Sequence, residues 1–228
     1  MGASTGEMLV DSLDALDDIF HYSPLIVVTH CEDPKRVKDR EKLFDEKYGD
    51  KVSAEHHHLI RDDQSCYLSS SLAVNLAKKY DADLHVFHLT TEKEMELFSK
   101  GEVDNKKITA EVCVHHMYFN ESYYSYLGNQ IKCNPSIKYE SDRQALISAL
   151  LDDKIDIIAT DHAPHTWEEK NQNYVDAPAG LPLVQHGLQI LMDLYHQDVI
   201  SLETIVKYTS HHVAKWFQIK DSGYIREG

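Results

Sequence analysis

Short apolar runs alternate with amphipathic segments of helical period along the chain. Four nearly continuous apolar runs predict buried β-strands, at Leu25–Thr29, Leu84–His88, Ile108–Cys113 and Ile155–Thr160. Apolar positions at helical spacing predict helices over Met8–Phe20, Pro34–Tyr48, Asp63–Tyr80, Lys93–Ser99, Ser141–Leu151, Leu183–Tyr195 and Leu202–Trp216. Alternation of this kind is typical of β/α units in series. The pattern therefore predicts an α/β fold with a parallel sheet, either doubly wound or a barrel.

Two details refine this pattern. Ser141 is a plausible N-cap for the helix that it begins, and the last predicted helix has a break near Ser210. Two connections, Gly49–Asp62 and Ala163–Leu181, are longer than packing requires. Loops of that length in a compact α/β unit tend to carry function, so both are candidate binding loops.

Composition excludes several classes of partner. The 228-residue chain has a formal net charge of −15, which argues against nucleic acid and anionic membranes because both need a basic surface. The charge does not exclude a small anionic substrate, since one cation within a site attracts it more strongly than distant surface charges repel it. The four cysteines form no CxxC pair, which argues against a disulfide framework and a thiolate zinc site and fits a reducing cytosol. No apolar run approaches the roughly 20 residues of a membrane span.

Polar residues close three of the four predicted strands. His30, His88 and Asp161 each stand at a strand's carboxyl end, where a buried strand gains nothing from them in packing. In a β/α barrel the carboxyl ends of the strands face the active site. Two imidazoles and a carboxylate there suit zinc or a similar metal with nitrogen and oxygen ligands. The alternative is that each histidine is merely hydrogen-bonded, because the chain contains 15 histidines.

Further candidates lie in the loops. Asp161 precedes His165 by four residues across a proline turn, which can pair a base with an anion-binding group, or can be a capped turn. Asn134 stands before a proline, either aiming its amide at a polar substrate or making an ordinary Asn-Pro turn. The run at 56–58 is interpreted as surface imidazoles in a loop. Of His115 and His116, one can support the pocket, and neither is assigned as a ligand.

Together these residues resemble the ordered motifs of the dihydroorotases, in particular their Bacteroidetes type. The segments that carry the resemblance are Val-Thr-His30-Cys-Glu-Asp, Leu-His-Val-Phe-His88-Leu-Thr-Thr, Ile-Thr-Ala-Glu-Val-Cys-Val-His115-His116, Lys-Cys-Asn134-Pro and Ala-Thr-Asp161-His-Ala-Pro-His165. They occur in family order and cover the whole chain. Dihydroorotases belong to the amidohydrolase superfamily, whose members are TIM-like barrels with one or two metals at the strand carboxyl ends.

The resemblance implies a role for each matching residue. His30 and His88 match metal ligands at the ends of barrel strands five and six. Asp161 matches the strand-eight aspartate, a metal ligand and the general acid/base. For the substrate, the implied contacts are Asn134 with the pyrimidine ring, His165 with the carboxylate, and the backbone of Ala179 and Gly180, within the loop 177–180, with the ring.

Other parts of the family pattern are missing. The strand-one His-x-His-x-Arg motif does not occur in this sequence. In the family, the bridging metal ligand stands just before a segment similar to residues 1–6, so this ligand is missing as well. The resemblance therefore implies strands five to eight of the barrel, with 1–222 as a partial barrel and 223–228 as the start of a β-sandwich return. A split gene, a truncated gene model or a deliberate fragment would each produce such a chain.

The implied reaction is the reversible opening of dihydroorotate to carbamoyl aspartate in pyrimidine biosynthesis, with one or two zinc ions in the intact family. The implied partners are this small molecule and either further copies of the chain or a complementing N-terminal half. Because the chain holds only part of the metal cage, it is expected to bind zinc weakly on its own. Two alternatives remain open: another cyclic amidase, such as an allantoinase or a dihydropyrimidinase, and a non-catalytic dihydroorotase-like subunit that binds a partner enzyme.

Overall fold

Four parallel strands form the centre of the structure, a computed structural model that describes residues 10 and 12–227. The strands are β1 (Val27–Thr29), β2 (Leu84–Val86), β3 (Ile108–Cys113) and β4 (Ile157–Ala159). They pair in the order β1-β2-β3-β4, all parallel, so that each strand lies beside the next strand in the chain. All four predicted strands are confirmed. Three of them are shorter than the apolar runs that predicted them.

Helices surround the sheet. They are α1 (Leu13–Tyr22), α2 (Pro34–Tyr48), α3 (His57–Ile60), α4 (Asp63–Tyr80), α5 (Val114–Tyr118), α6 (Tyr124–Leu127), α7 (Glu140–Leu151), α8 (Trp167–Lys170), α9 (Gly187–His196), α10 (Leu202–Val206) and α11 (His212–Trp216). A π-helical turn, Lys207–His211, joins the last two and accounts for the predicted break near Ser210. In the described part of the chain, no helix combines the length and apolarity needed to cross a membrane.

Helices α2 and α4 match their predicted bounds because aspartate side chains cap them. Asp33 accepts a hydrogen bond from the backbone N–H of Arg36, and Asp62 accepts one from that of Ser65. The proposed N-cap at Ser141 is wrong: α7 begins at Glu140, and Tyr139 is its cap residue.

Three other helix predictions differ from the structure. The segment Lys93–Ser99 forms only a short 3-10 turn, Lys93–Glu96, and α9 begins four residues later than predicted. The predicted helix Met8–Phe20 is described as helix from Leu13. Its start lies outside the described residues, as does the segment 1–6.

The core lies on the sheet and under the helices. Leu84, Val86, Ala110 and Val112 of the strands are all 0% exposed, as strands covered on both faces require. Because the strands are parallel and in sequential order, all four carboxyl ends lie along one edge of the sheet. The chain segments that leave this edge are the ones that contain the predicted site residues.

The last described residues fold back on the π-helical turn. The ring of Tyr224 stacks on that of His211, with centroids 4.1 Å apart, and Gly223 has φ +80°. The assignment of 1–222 and 223–228 to two domains stays a prediction.

Candidate metal and substrate site

His30 and His88 meet at the carboxyl ends of neighbouring strands. His30 directly follows β1 and His88 follows β2, and their rings are T-shaped with centroids 4.6 Å apart. Nδ1 of His30 lies 2.9 Å from Nε2 of His88. His88 has φ +36° and Asp161 has φ +46°, an uncommon left-handed conformation for side chains other than glycine. Such outliers cluster at functional sites, where neighbouring structure holds them in place.

A buried carboxylate orients His30. Nε2 of His30 donates to Oε2 of Glu32 at 3.0 Å, and Glu32 is 0% exposed. Burial alone would raise the pKa of Glu32, but the charge of Arg61 and the hydrogen bond from His30 lower it to about 2. The Glu32 carboxylate also accepts from Nη1 of Arg61, which is buried as well. Glu32 is therefore ionised and fixes the His30 ring with its Nδ1 lone pair turned toward His88.

Sequence reasoning missed Glu32 and Arg61. The signal for Glu32 was present, since it follows His30 by two residues and residues at that spacing in extended chain point to the same side. Arg61 gave no local signal, because it comes from the long loop before α4 and reaches Glu32 only in the folded chain.

The His30 and His88 pair fits nitrogen ligation of zinc. Two imidazole nitrogens bound to one tetrahedral zinc lie roughly 3.3 Å apart, close to the 2.9 Å observed. Burial, followed by the nearby His30, lowers the pKa of His88 to about 3. The ring is thus neutral at pH 7, the form that ligates a metal. These residues supply two nitrogens, and a tight zinc site needs three or four protein ligands.

Asp161 lies at the same edge of the sheet, beyond β4. The residue is exposed, yet burial of its carboxyl against the strand ends raises its pKa, and Glu111 raises it further while His30 opposes the shift. A carboxyl whose pKa is raised holds a proton more readily than a free carboxyl, which suits a group that accepts and returns one. The metal-ligating and catalytic roles of His30, His88 and Asp161 stay predictions.

A buried histidine supports the segment that contains Asn134. Asn134 precedes Pro135 through a cis peptide bond and lines a cavity of about 680 Å³ together with Arg61, Lys132 and Ala179. His57, 1% exposed, donates from Nε2 to the carbonyl of Cys133 at 2.8 Å and accepts from the Tyr174 hydroxyl at 2.8 Å. His57 had been interpreted as a surface imidazole. That interpretation is wrong.

The predicted substrate loop packs directly against this segment. The N–H of Gly180 donates to the carbonyl of Lys132 at 2.9 Å, and Nε2 of His165 donates to the carbonyl of Ala179 at 3.2 Å. Gly180 has φ +142°, and a Cβ there would lie 2.6 Å from the carbonyl oxygen of Ala163. Only glycine allows this close approach. The structure thus brings together Asn134, His165, Ala179 and Gly180, although their role as substrate contacts is untested.

Two buried lysines connect the two loops. Nζ of Lys170 donates to the carbonyls of Lys132, Pro178 and Gly180, each at 3.0 Å, and Nζ of Lys132 donates to those of Tyr174 and Ala177 at 2.6 Å. Burial lowers the pKa of each lysine to about 8. Among the described residues, neither has a carboxylate within ion-pair distance. Nothing in the local sequence indicates the contacts of Lys132 with Lys170, Tyr174 and Ala177, which are 38, 42 and 45 residues away.

The fold is similar to that of hydantoinases of known structure. The structure superposes on L-hydantoinase (dihydropyrimidinase) from Arthrobacter aurescens with a TM-score of 0.89 at 20% identity, over 99% of this chain and 52% of that one. The α/β architecture is therefore a partial TIM-like barrel, as predicted. No protein-family model matches the chain.

In sequence, the chain is similar to dihydroorotases. It is 32% identical over 211 residues to the dihydroorotase of Bacillus cytotoxicus, covering 90% of this chain and 46% of that protein. It is 30% identical over 218 residues to that of Methanosphaera stadtmanae, covering 93% and 49%. The chain thus spans about half the length of the curated relatives that it matches.

Proposed function

We propose that this chain forms the part of a dihydroorotase active site that carries one pair of metal-ligating histidines, the acid/base and the substrate loops. The observation that carries the proposal is the contact between His30 and His88, backed by Glu32, at the sheet edge that also bears Asp161. The similarity to dihydroorotases over 90% of the chain supports the same reading. The Bacteroidetes type and the assignment to strands five to eight stay predictions.

The chemistry would be reversible hydrolysis of dihydroorotate to N-carbamoyl aspartate. His30 and His88 would hold a zinc ion, which would supply Lewis-acid polarisation of the ring amide. Asp161 takes a proton from the attacking water and delivers it to the amide nitrogen as the carbon–nitrogen bond breaks. One water is consumed, and its proton ends on the leaving nitrogen, so the raised pKa of Asp161 suits both halves of the transfer.

The substrate would lie over the two joined loops. Asn134 and the backbone of Ala179 and Gly180 would contact the ring, and His165 the carboxylate. The ammonium groups of Lys132 and Lys170 lie beneath these loops. They would give a locally positive site in a chain of net charge −15, which favours an anionic substrate.

A chimera tests the proposal, in which this chain replaces the matching segment of the Bacillus cytotoxicus dihydroorotase. We expect zinc-dependent turnover of dihydroorotate, reduced about 10²–10⁴-fold by Asp161→Asn. Asp198→Asn is the matched control, because Asp198 is also exposed and has φ +58°. A folded chimera without turnover, or full activity in Asp161→Asn, would contradict the proposal. The unmodified chain alone should bind zinc weakly at His30 and His88 and turn over no dihydroorotate.

A second candidate is another cyclic amidase, favoured by the structural match to a hydantoinase. The same chimera, assayed against dihydroorotate, dihydrouracil, hydantoin and allantoin, separates the two. A clear preference for one of the last three substrates would replace the first proposal with the second.

For the assembly, we infer that the two outer strands of the sheet pair with a partner, which is either another copy of the chain or a complementing half-barrel. Strands β1 and β4 each pair with one neighbour, and Val28 of β1 is 39% exposed. Sedimentation should therefore show self-association, and a stable monomer at high concentration would contradict it. A cytoplasmic location is also proposed, supported by four buried, free cysteines.

A further inference from the structure

Three potential metal ligands converge where β3 passes into α5. Cys113 ends the strand, and His115 and His116 lie in the first turn of the helix. One ligand atom from each lies within 4.8 Å of the other two, and the side chains are 0%, 1% and 3% exposed. This cluster shares no residue with the His30 and His88 pair or with Asp161.

The hydrogen bonding of His116 leaves one nitrogen ready for a metal. Its Nε2 lies 3.1 Å from the carbonyl oxygen of Pro135, which can only accept, so Nε2 carries the proton. The lone pair is therefore on Nδ1. This atom is buried and, in the described part of the structure, has no hydrogen-bond partner. A histidine whose far nitrogen donates to a backbone carbonyl is the usual arrangement around a protein-bound metal.

His115 gives a second, independent indication. Both of its ring nitrogens are buried without a hydrogen-bond partner among the residues described. Buried polar groups are nearly always paired, because leaving one unpaired costs its hydration free energy. The ring lies beside that of His116, with centroids 4.0 Å apart and planes inclined at 44°, so a cation beside both rings would satisfy their buried lone pairs together.

Cys113 supplies the sulfur. Its thiol is free and fully buried at the end of β3. Cys133 is a weaker candidate, because its Sγ approaches His116 from the Nε2 side, at 3.9 Å, and donates to the carbonyl of Pro135. The donor set is thus one sulfur and two imidazole nitrogens, which suits zinc and excludes magnesium and calcium.

We propose that Cys113, His115 and His116 form a second metal site, for a thiophilic divalent cation such as zinc. Binding replaces the thiol proton by a metal–sulfur bond, so one proton is released for each ion bound. The absence of a CxxC pair had argued against a thiolate site. That rule looks for paired cysteines in a loop, whereas here a strand end and a helix turn bring one cysteine to two histidines.

Cobalt(II) titration of the whole chain tests this site without any assay of activity. We expect about one equivalent to give a thiolate-to-cobalt charge-transfer band, which is lost in Cys113→Ser. The band should persist in Cys133→Ser and in the double variant His30→Ala/His88→Ala, because those residues lie outside the cluster. No thiolate band in the unmodified chain, or a band that survives Cys113→Ser, would overturn the proposal.

A second measurement covers the case in which Cys113→Ser does not fold. X-ray absorption at the zinc edge, on the zinc-loaded His30→Ala/His88→Ala chain, should show one sulfur at about 2.3 Å and two imidazole nitrogens at about 2.0–2.1 Å. A shell of nitrogen and oxygen alone would exclude Cys113 as a ligand. Neither experiment depends on dihydroorotate hydrolysis, so the two proposals can fail separately.

Discussion

Lys170 donates from Nζ to the carbonyl oxygen of Lys132 at 3.0 Å, and this contact joins two candidate substrate loops. The same ammonium also reaches the carbonyls of Pro178 and Gly180. One side chain therefore fixes the distance between the loop that contains Asn134 and the loop that contains Gly180. A substrate that contacts both segments depends on that distance.

Replacing Lys170 should destabilise the protein and loosen the loop. Lys170→Met fills a similar volume but removes the ammonium donor from three carbonyls, of which that of Lys132 keeps the N–H of Gly180 as a donor. Hydrogen bonds to charged groups contribute about 1.5–3 kcal/mol each. We expect a loss of about 3 kcal/mol in the free energy of unfolding by urea, since water will replace part of what is lost. Lys51→Met is the control, because Lys51 is exposed. Equal stability of the two variants would show that the hydrogen bonds of Lys170 are unimportant for stability.

Gly180→Ala should be more damaging than the same change at Gly101. Both glycines have nearly the same φ, +142° and +143°, so the backbone penalty is matched. A Cβ at Gly180 would lie 2.6 Å from the Ala163 carbonyl oxygen, whereas at Gly101 it would meet nothing within 4 Å. We expect the urea-unfolding free energies to differ by about 1–3 kcal/mol, the usual cost of overpacking. Equal losses at both positions would mean that the loop moves aside freely.

Glu32→Gln should weaken zinc binding at the histidine pair. The amide keeps the shape of the side chain but loses the charge that orients His30, and loss of such a partner typically costs 10–100-fold in metal affinity. Zinc titrations followed by the ring signals of His30 and His88 in NMR spectra measure this directly. Glu55→Gln, at an exposed position, should leave the affinity unchanged. An unaltered affinity in Glu32→Gln would remove Glu32 from the site.

Acid should destabilise the metal-free chain through His57. Burial first, and then the charge of Arg61, lowers the pKa of His57 to about 3 in the folded protein, against roughly 6.5 in the unfolded chain. Between these values the unfolded state binds the extra proton. Stability present above pH 6.5 is therefore lost as the pH falls, by about 1.4 kcal/mol per pH unit for this group.

The test compares urea unfolding between pH 4 and pH 7 in the presence of a chelator. His57→Gln should reduce the slope of the unfolding free energy against pH by the equivalent of about one proton. His196→Gln, at an exposed position, should keep the slope of the unmodified chain. If His57→Gln keeps the full slope, the proton is taken up elsewhere.

Local patterns predicted much of the fold and little of the support around the site. Helices α2 and α4 were placed correctly from the spacing of their apolar residues, and the structure shows Asp33 and Asp62 as the caps at their starts. The boundary of α7 was missed by one residue, since Asp142 accepts from the backbone of Tyr139 and makes that residue the cap in place of Ser141. Polar residues at strand ends correctly indicated that His30 and His88 would meet.

The partners of those residues come from distant segments. Arg61 reaches Glu32 across 29 residues, and His57 reaches Tyr174 across 117. No hydrophobic period or spacing encodes such contacts, because they depend on how loops cross the sheet edge after folding. His57 shows the consequence: within a run of three histidines it looked like a surface residue, and tertiary packing buried it.

The sequential order of the strands has a consequence for how the chain reaches this structure. In the described part of the chain, β2, β3 and β4 each pair with the strand synthesised just before them, and no later strand is inserted between earlier ones. Each pairing therefore closes a loop of only one β/α connection, so that the conformational entropy lost at each step is small. Each new β/α unit can pack against the strand that has already formed. Synthesis and folding of these four strands can thus advance in the same direction.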